Sequence, residues 1–325
     1  MNDTLFASVN TLIRIKEQEL LSKEQLDTVL KSHSTESAIS VLKSTRYADI
    51  TVPFEHILVE KLADTYRDIV SEVPVLEIVD IFSLIYSYHN LKVLLKTELA
   101  GLALEHLVIP IGRFSVSELT YAIKTSESDT LPSVMLDAIQ HVKDYYEEYG
   151  RIEAIDILLD RAYFQHLNHI AKQLHQAEIS AMIYAWTDLY NINCLLRVKH
   201  QSLSRSFLLS ILSEHGQIAL NELIHLALNQ QYDKLVALLK ETDYAEALDF
   251  SSDTLQALHV ERMRDLVANY YLKQSKYEPF GLFPVLSFLY YTEMEVKNLR
   301  LLLTGKENNI DETVLRERMR PIYGL

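Results

Sequence analysis

Cysteine, glycine and proline are scarce in this chain of 325 residues, which holds one, seven and seven of them. The single Cys194 excludes an intrachain disulfide, and its position among apolar neighbours reads as a small buried hydrophobe. Seven glycines cannot furnish several phosphate-cradling loops, and no Gly-x-Gly-x-x-Gly, P-loop or His-Glu-x-x-His pattern occurs. Nucleotide chemistry therefore has no support. No Ser/Gly/Pro-rich linker divides the chain, so related subdomains packed into one rigid body are expected. The most apolar runs, such as Ala181–Leu189 and Leu282–Tyr291, fall well short of the ~20 residues a membrane helix needs. A soluble, cytosolic chain without a membrane span is expected, and the first residues carry no basic region ahead of an apolar run, so no secretory signal is evident. Basic residues number 31 against 45 acidic ones, and the net charge of −14 argues against nucleic acid as a partner. Acidity suits a basic protein partner better than a nucleic acid, but plain solubility is the readier account of it.

What is present is a repeat. Asn90-Leu-Lys-Val-Leu-Leu-Lys96 returns as Asn191-Ile-Asn-Cys-Leu-Leu-Arg197 and as Asn298-Leu-Arg-Leu-Leu-Leu-Thr304, at intervals of 101 and 107 residues. On a helix the apolar positions +1, +4 and +5 from each Asn share a face with Tyr88, Leu189 and Val296 at −2. The Asn residues and the polar residues at +2 and +6 border that face, which we call the seam. Around it the glycines and prolines punctuate long helical periodicities, with helices predicted near 4–20, 23–33, 36–44, 54–72, 76–99, 116–125, 133–148, 152–173, 177–206, 217–228, 231–240, 252–275, 282–304 and 312–320. An all-α chain follows. In the segment 54–72, Phe54, Leu58, Leu62, Tyr66 and Val70 recur every four residues and predict an amphipathic bundle member.

Ser22 with Gln25 and Ser115 with Glu118 match the helix-starting capping box, whereas Ala219 with Glu222 keeps only the acid and Asp311 keeps only the cap. Val41–Ala48 also resembles Leu238–Ala245, and Asn10 to Lys16 parallels Asn193 to Lys199. The ends of the chain thus read as partial units completing a threefold series, with repeats over 1–105, 106–210 and 211–325, whose apolar faces are buried by stacking.

Signs of chemistry are weak. His166 and His169, with His175 beyond, lack a convincing third metal ligand, and carboxylate pairs such as Glu147-Glu148 and Glu293 with Glu295 read as exposed helix faces. Neither a catalytic centre, a metal nor a cofactor is expected. Asn90, Asn191 and Asn298 either satisfy a neighbouring backbone or line a shared cavity. Lys92, Lys96, Arg197, Lys199 and Arg300 either face solvent or meet acids of a partner.

Tyr88-His-Asn-Leu-Lys-Val-Leu-Leu-Lys, Asn191-Ile-Asn-Cys-Leu-Leu-Arg-Val-Lys, Pro279-Phe-Gly-Leu-Phe-Pro-Val-Leu-Ser-Phe-Leu-Tyr-Tyr and Glu293-Met-Glu-Val-Lys-Asn-Leu-Arg together resemble the C subunit of prokaryotic V/A-type ATPases, the equivalent of the d subunit in eukaryotes. The resemblance spans nearly the whole chain. It implies a non-catalytic funnel or cup of three pseudo-equivalent helical units, peripheral on the cytoplasmic side of a membrane rotor ring. Such a socket receives the central stalk, so stalk and ring subunits are the implied partners in ATP-coupled proton or sodium transport. The competing reading is an open α-helical repeat scaffold that binds peptides or helices of an unrelated partner.

Overall fold

The computed structural model describes residues 3–201, 203–250 and 255–324. Among these the chain is all-helical and forms no strand. Its α-helices are α1 (Ala7–Lys16), α2 (Lys23–Lys31), α3 (Thr35–Leu42), α4 (Glu55–Glu72), α5 (Glu77–Ala100), α6 (Val116–Thr125), α7 (Ser133–Tyr149), α8 (Glu153–Leu174), α9 (Ala177–Val198), α10 (Arg205–Ile211), α11 (Leu220–Leu228), α12 (Leu235–Lys240), α13 (Ala257–Leu272), α14 (Leu282–Glu307) and α15 (Glu312–Arg318). Two compact units emerge, one of Met1–Phe82 with Leu272–Leu325 and one of Ser83–Tyr271.

The first unit is built on α14. That helix is apolar over most of its circumference, and Val285, Leu286, Phe288, Leu289, Leu299 and Leu303 are all fully buried, so it must be enclosed by neighbours. Helices α1, α3 and α4 pack against it, and α15 packs on both α14 and α2. A Cβ at Gly305 would overlap the Leu315 side chain, so glycine is what lets α15 approach. Helix α4 turns Ile57, Leu58, Leu62, Tyr66 and Ile69 inward, while Val70 is only half-buried. Its buried stripe follows the 3.6-residue period, which drifts off a strict every-fourth pattern.

One sequence expectation fails here. Glu293 and Glu295 are buried, not displayed on an exposed face. Tyr66 Oη donates to Glu293 at 2.6 Å, and Tyr47 Oη donates to Glu295 at 2.8 Å. Charged residues inside an apolar helix are tolerable because these phenols, drawn from α4 and the loop after α3, satisfy them.

The second unit centres on α8 and α9, with α7 and α10 against α8 and α11 against α9. Helix α7 follows Pro132 and stops at Gly150, which takes the left-handed conformation at φ 64°. The single helix predicted over 177–206 is two: α9 ends at Val198, and Ser204 Oγ accepts from Phe207 N to begin α10. Both predicted capping boxes form, Ser22 with Gln25 and Ser115 with Glu118, and Ser34 with Ser37 makes a third in which Ser stands where Glu or Gln is usual. Ala219 provides no cap, and Asp311 accepts from Thr313 N at 2.8 Å.

By length and composition α5 could cross a bilayer, which the search for unbroken apolar runs overlooked because its apolar residues are spread along 24 positions. Most of that apolar window, 78%, is buried within the chain, as in a core helix.

Candidate partner-binding site

The repeated asparagines make one contact in three places. Asn90 Nδ2 donates to the Ile109 carbonyl at 2.7 Å while its Oδ1 accepts from Ile109 N at 2.8 Å. Asn191 does the same with Ser213, at 2.9 and 2.8 Å, and Asn298 with Arg320, at 3.1 and 2.7 Å. A primary amide offers a donor and an acceptor side by side, the complement of one residue's backbone. Each seam helix, α5, α9 or α14, is thereby tied to backbone 19 or 22 residues downstream. Beneath these ties Leu91, Leu95, Ile192, Leu195, Leu299 and Leu302 are fully buried.

Three residues before the Asn stands a second device, which sequence reasoning missed. Asp188 on α9 accepts from Gln217 N at 2.9 Å, from Ile218 N at 3.1 Å and from Tyr244 Oη at 2.9 Å. Glu295 on α14 accepts from Leu21 N and from Tyr47 Oη, with the Arg46 guanidinium 3.9 Å away. In α5 the corresponding residue is Ser87, whose buried hydroxyl has no partner. The signal was present: Tyr47 and Tyr244 lie at matching places in the two similar segments, and an acid recurs three residues ahead of the second and third Asn. Burial pushes the Asp188 carboxyl up to about 7, against the opposing pull of its backbone and Tyr244 donors. Burial likewise raises Glu295.

Along the seam flanks of α5 and α9, within the second unit, lies a cavity of about 370 Å³. The −2 and +2 residues of both helices, Tyr88 with Lys92 and Leu189 with Asn193, line it. Its floor is aromatic: Tyr88 meets Tyr163 edge-on at 5.7 Å, Tyr163 meets Phe164 at 4.9 Å, and Phe164 meets Tyr190 at 4.5 Å. Arg264 from α13 lays its guanidinium 4.7 Å from the Trp186 ring and donates Nη2 to Tyr163 Oη at 2.7 Å. In return Trp186 Nε1 donates to the Arg264 carbonyl at 3.0 Å. Charge at the margin is paired, since Lys92 Nζ lies 2.5 Å from Asp160. An aromatic floor with a rigid, charged margin suits the anchoring of a protein side chain.

The model of the ATP synthase (C/AC39) subunit family matches residues 9–318. The C subunit of the V-type sodium ATPase of Enterococcus hirae is 32% identical over 98% of this chain and 99% of its own length. The C subunits of the A-type ATP synthases of Methanocaldococcus jannaschii and Methanothermobacter thermautotrophicus are 26% and 28% identical, over 96% and 97% of this chain and 85% and 87% of theirs. The chain belongs to the C-subunit family of the V/A-type ATPases.

In this family member the basic residues singled out by sequence mostly hold internal acids. Lys96 binds Asp156 at 2.7 Å, Arg197 binds Glu261 at 2.8 Å, and Arg300, in the first unit, grips Glu55 through Nε and Nη2. Lys199, just past α9, is exposed and has no partner among the described residues. Lys92 and, more weakly, Arg197 act on Asp160, but burial outweighs them and holds its carboxyl above the usual range. Glu118 closes its capping box on Ser115, whereas Glu222 stands exposed in the first turn of α11.

His166 is buried against Tyr88 Oη at 3.3 Å, and burial pulls its imidazole down to about 4. His169 and His175 are exposed, and among the described residues no three His, Cys, Asp or Glu are grouped to hold a metal. Cys194 is half-buried, not fully enclosed, with its thiol pushed up to about 11 by desolvation.

Proposed function

We propose that this chain is a non-catalytic rotor part of a V/A-type ATPase. In this reading three pseudo-equivalent helical units, 1–105, 106–210 and 211–325, close into a funnel on the cytoplasmic face of the membrane ring. The funnel receives the foot of the central stalk and passes torque to the ring as contact force, for ATP-coupled transport of protons or sodium. The Enterococcus hirae relative is named as part of a sodium ATPase.

The observation that carries the reading is the threefold Asn tie, on a chain that belongs to this family. A coupling part needs stiffness, and a buried two-way hydrogen bond that recurs in each copy resists sliding of the seam helix against the loop it holds. The aromatic cavity supplies an anchor for the stalk. Lys92 at its margin, Lys96, Arg197 and Lys199 elsewhere in the second unit, and Arg300 in the first unit are assigned to acids of the stalk. Four of the five must exchange an internal carboxylate to do so, which favours Lys199 as the first contact.

The test is co-purification of the tagged full chain from detergent-solubilised membranes, with mass spectrometry of what accompanies it. Stalk subunits together with a small membrane-spanning ring protein are expected. Recovery of neither, under conditions that preserve rotary ATPases, would overturn the proposal.

A further inference from the structure

A second groove lies between α7 and α8, also within the second unit, with a volume of about 520 Å³. Its α8 wall is a stripe of Arg161, Gln165, Asn168, His169 and Lys172, spaced to fall on one helix face. Asp137 and His141 of α7 form the other wall, and His215 comes from the loop ahead of α11. None of these eight side chains makes a hydrogen bond or ion pair within the described chain, whereas Lys92, Lys96, Arg197 and Arg300 are all paired. Asn168 is only 4% exposed, yet its Oδ1 is buried without a partner. Eight side chains with unused hydrogen-bonding capacity thus line one groove, and the buried amide oxygen left unpaired among them costs free energy.

We propose that this groove docks an acidic segment of a protein partner. Two cations and three imidazoles face one carboxylate there, a positive groove on a chain whose net charge is −14. Arg161 and Lys172 are eleven residues apart, about 16 Å along the helix, so one small anion cannot bridge them but carboxylates repeated along a segment can. Arg161, Gln165 and Lys172 donate to the carboxylates, and the ring N–H groups of His141, His169 and His215 are further donors. Asp137 on the opposite wall works against an acidic segment, and the Arg161 and Lys172 charges outnumber it.

The test uses the full chain and a polyglutamate peptide of about ten residues, ~15 Å long as a helix. Imidazole signals assigned by single His→Gln variants are followed by NMR as peptide is added. Shifts at His141, His169 and His215, binding that weakens with salt, and an affinity at least tenfold lower in R161E/K172E are expected. The single variant K172E, exposed and therefore safe for folding, should show part of that loss, with thermal melting confirming the native state. Lys124→Glu makes an equal charge change on an exposed part of α6 and should bind as the unaltered chain does. Absence of shifts at the three imidazoles, or equal weakening by K124E and K172E, overturns the proposal. So does inorganic phosphate binding there as tightly as the peptide, because the site would then be a simple anion site.

Discussion

The Asp188 carboxylate occupies the space that a Cβ on Gly216 would need. The loop backbone therefore runs directly over the acid and delivers Gln217 N and Ile218 N to it. Gly216→Ala must push the carboxylate off these donors and off Tyr244, at a cost of ~2–4 kcal/mol from buried groups left unpaired. Gly150→Ala is the comparison: its left-handed backbone is strained by ~1–2 kcal/mol, but nothing crowds the added methyl. Urea unfolding of the two variants should rank them in that order, and a G216A midpoint no lower than that of G150A would dismiss the close-approach account.

Asn191→Ala should destabilise by ~2–4 kcal/mol, since it strands both the N–H and the carbonyl of buried Ser213. Asn191→Asp preserves shape but gives the carbonyl no donor and sets a carboxylate against it. At a pH alkaline enough to keep this buried carboxyl ionised it should therefore be no better than Ala. Thermal unfolding decides the matter, and a cost below ~1 kcal/mol for Asp would mean the amide is kept only for its size.

How far the sequence revealed this arrangement depended on whether periodicity or long-range pairing carried the signal. Helix positions were legible because apolar spacing, Pro132, Gly150 and the Ser115 box act locally. The break between α9 and α10 was not, because Ser204 caps without an acid three residues later and the apolar pattern runs on either side. The Asn residues stood out by recurrence, yet their partners, Ile109, Ser213 and Arg320, contribute only backbone, which has no sequence signature. Glu293 and Glu295 looked like an exposed pair because the phenols that satisfy them lie more than 200 positions away in the chain. The cavity floor draws on α5, α8, α9 and α13, and only packing could assemble it.

Asp188 should make stability depend on pH in the direction opposite to an ordinary ion-paired acid. Its folded pKa, about 7, lies above the usual value of 3.8, so between these limits the folded chain holds a proton that the unfolded chain has released. Stability from this group is present at the acid end and lost as pH rises from about 4 to about 7, by up to ~4 kcal/mol. The amide introduced by Asp188→Asn does not titrate, so the penalty of D188N should shrink over the same range. His166 opposes the trend in the parent chain, since a base held neutral down to about 4 loses stability on acidification. The difference between parent and D188N cancels that contribution. A penalty that stays constant with pH would show that the carboxyl titrates normally.

Trp186 is the only tryptophan in the chain, is 2% exposed and lies against the cavity with one face under Arg264, so its fluorescence reports on that site without interference. The parent chain should emit as a shielded indole that acrylamide quenches poorly. Arg264→Lys keeps the charge but loses the planar stack and the fork that reaches Tyr163, weakening the contact by ~1 kcal/mol and opening the indole to quencher. Stalk subunits added to the parent chain should shield Trp186 further, because a side chain seated on the aromatic floor displaces water beside it. R264K should bind them more weakly while unfolding at nearly the same denaturant concentration. If the stalk binds and Trp186 quenching stays where it was, the cavity is not the seat, and the grip on the stalk must be sought on other faces of the chain.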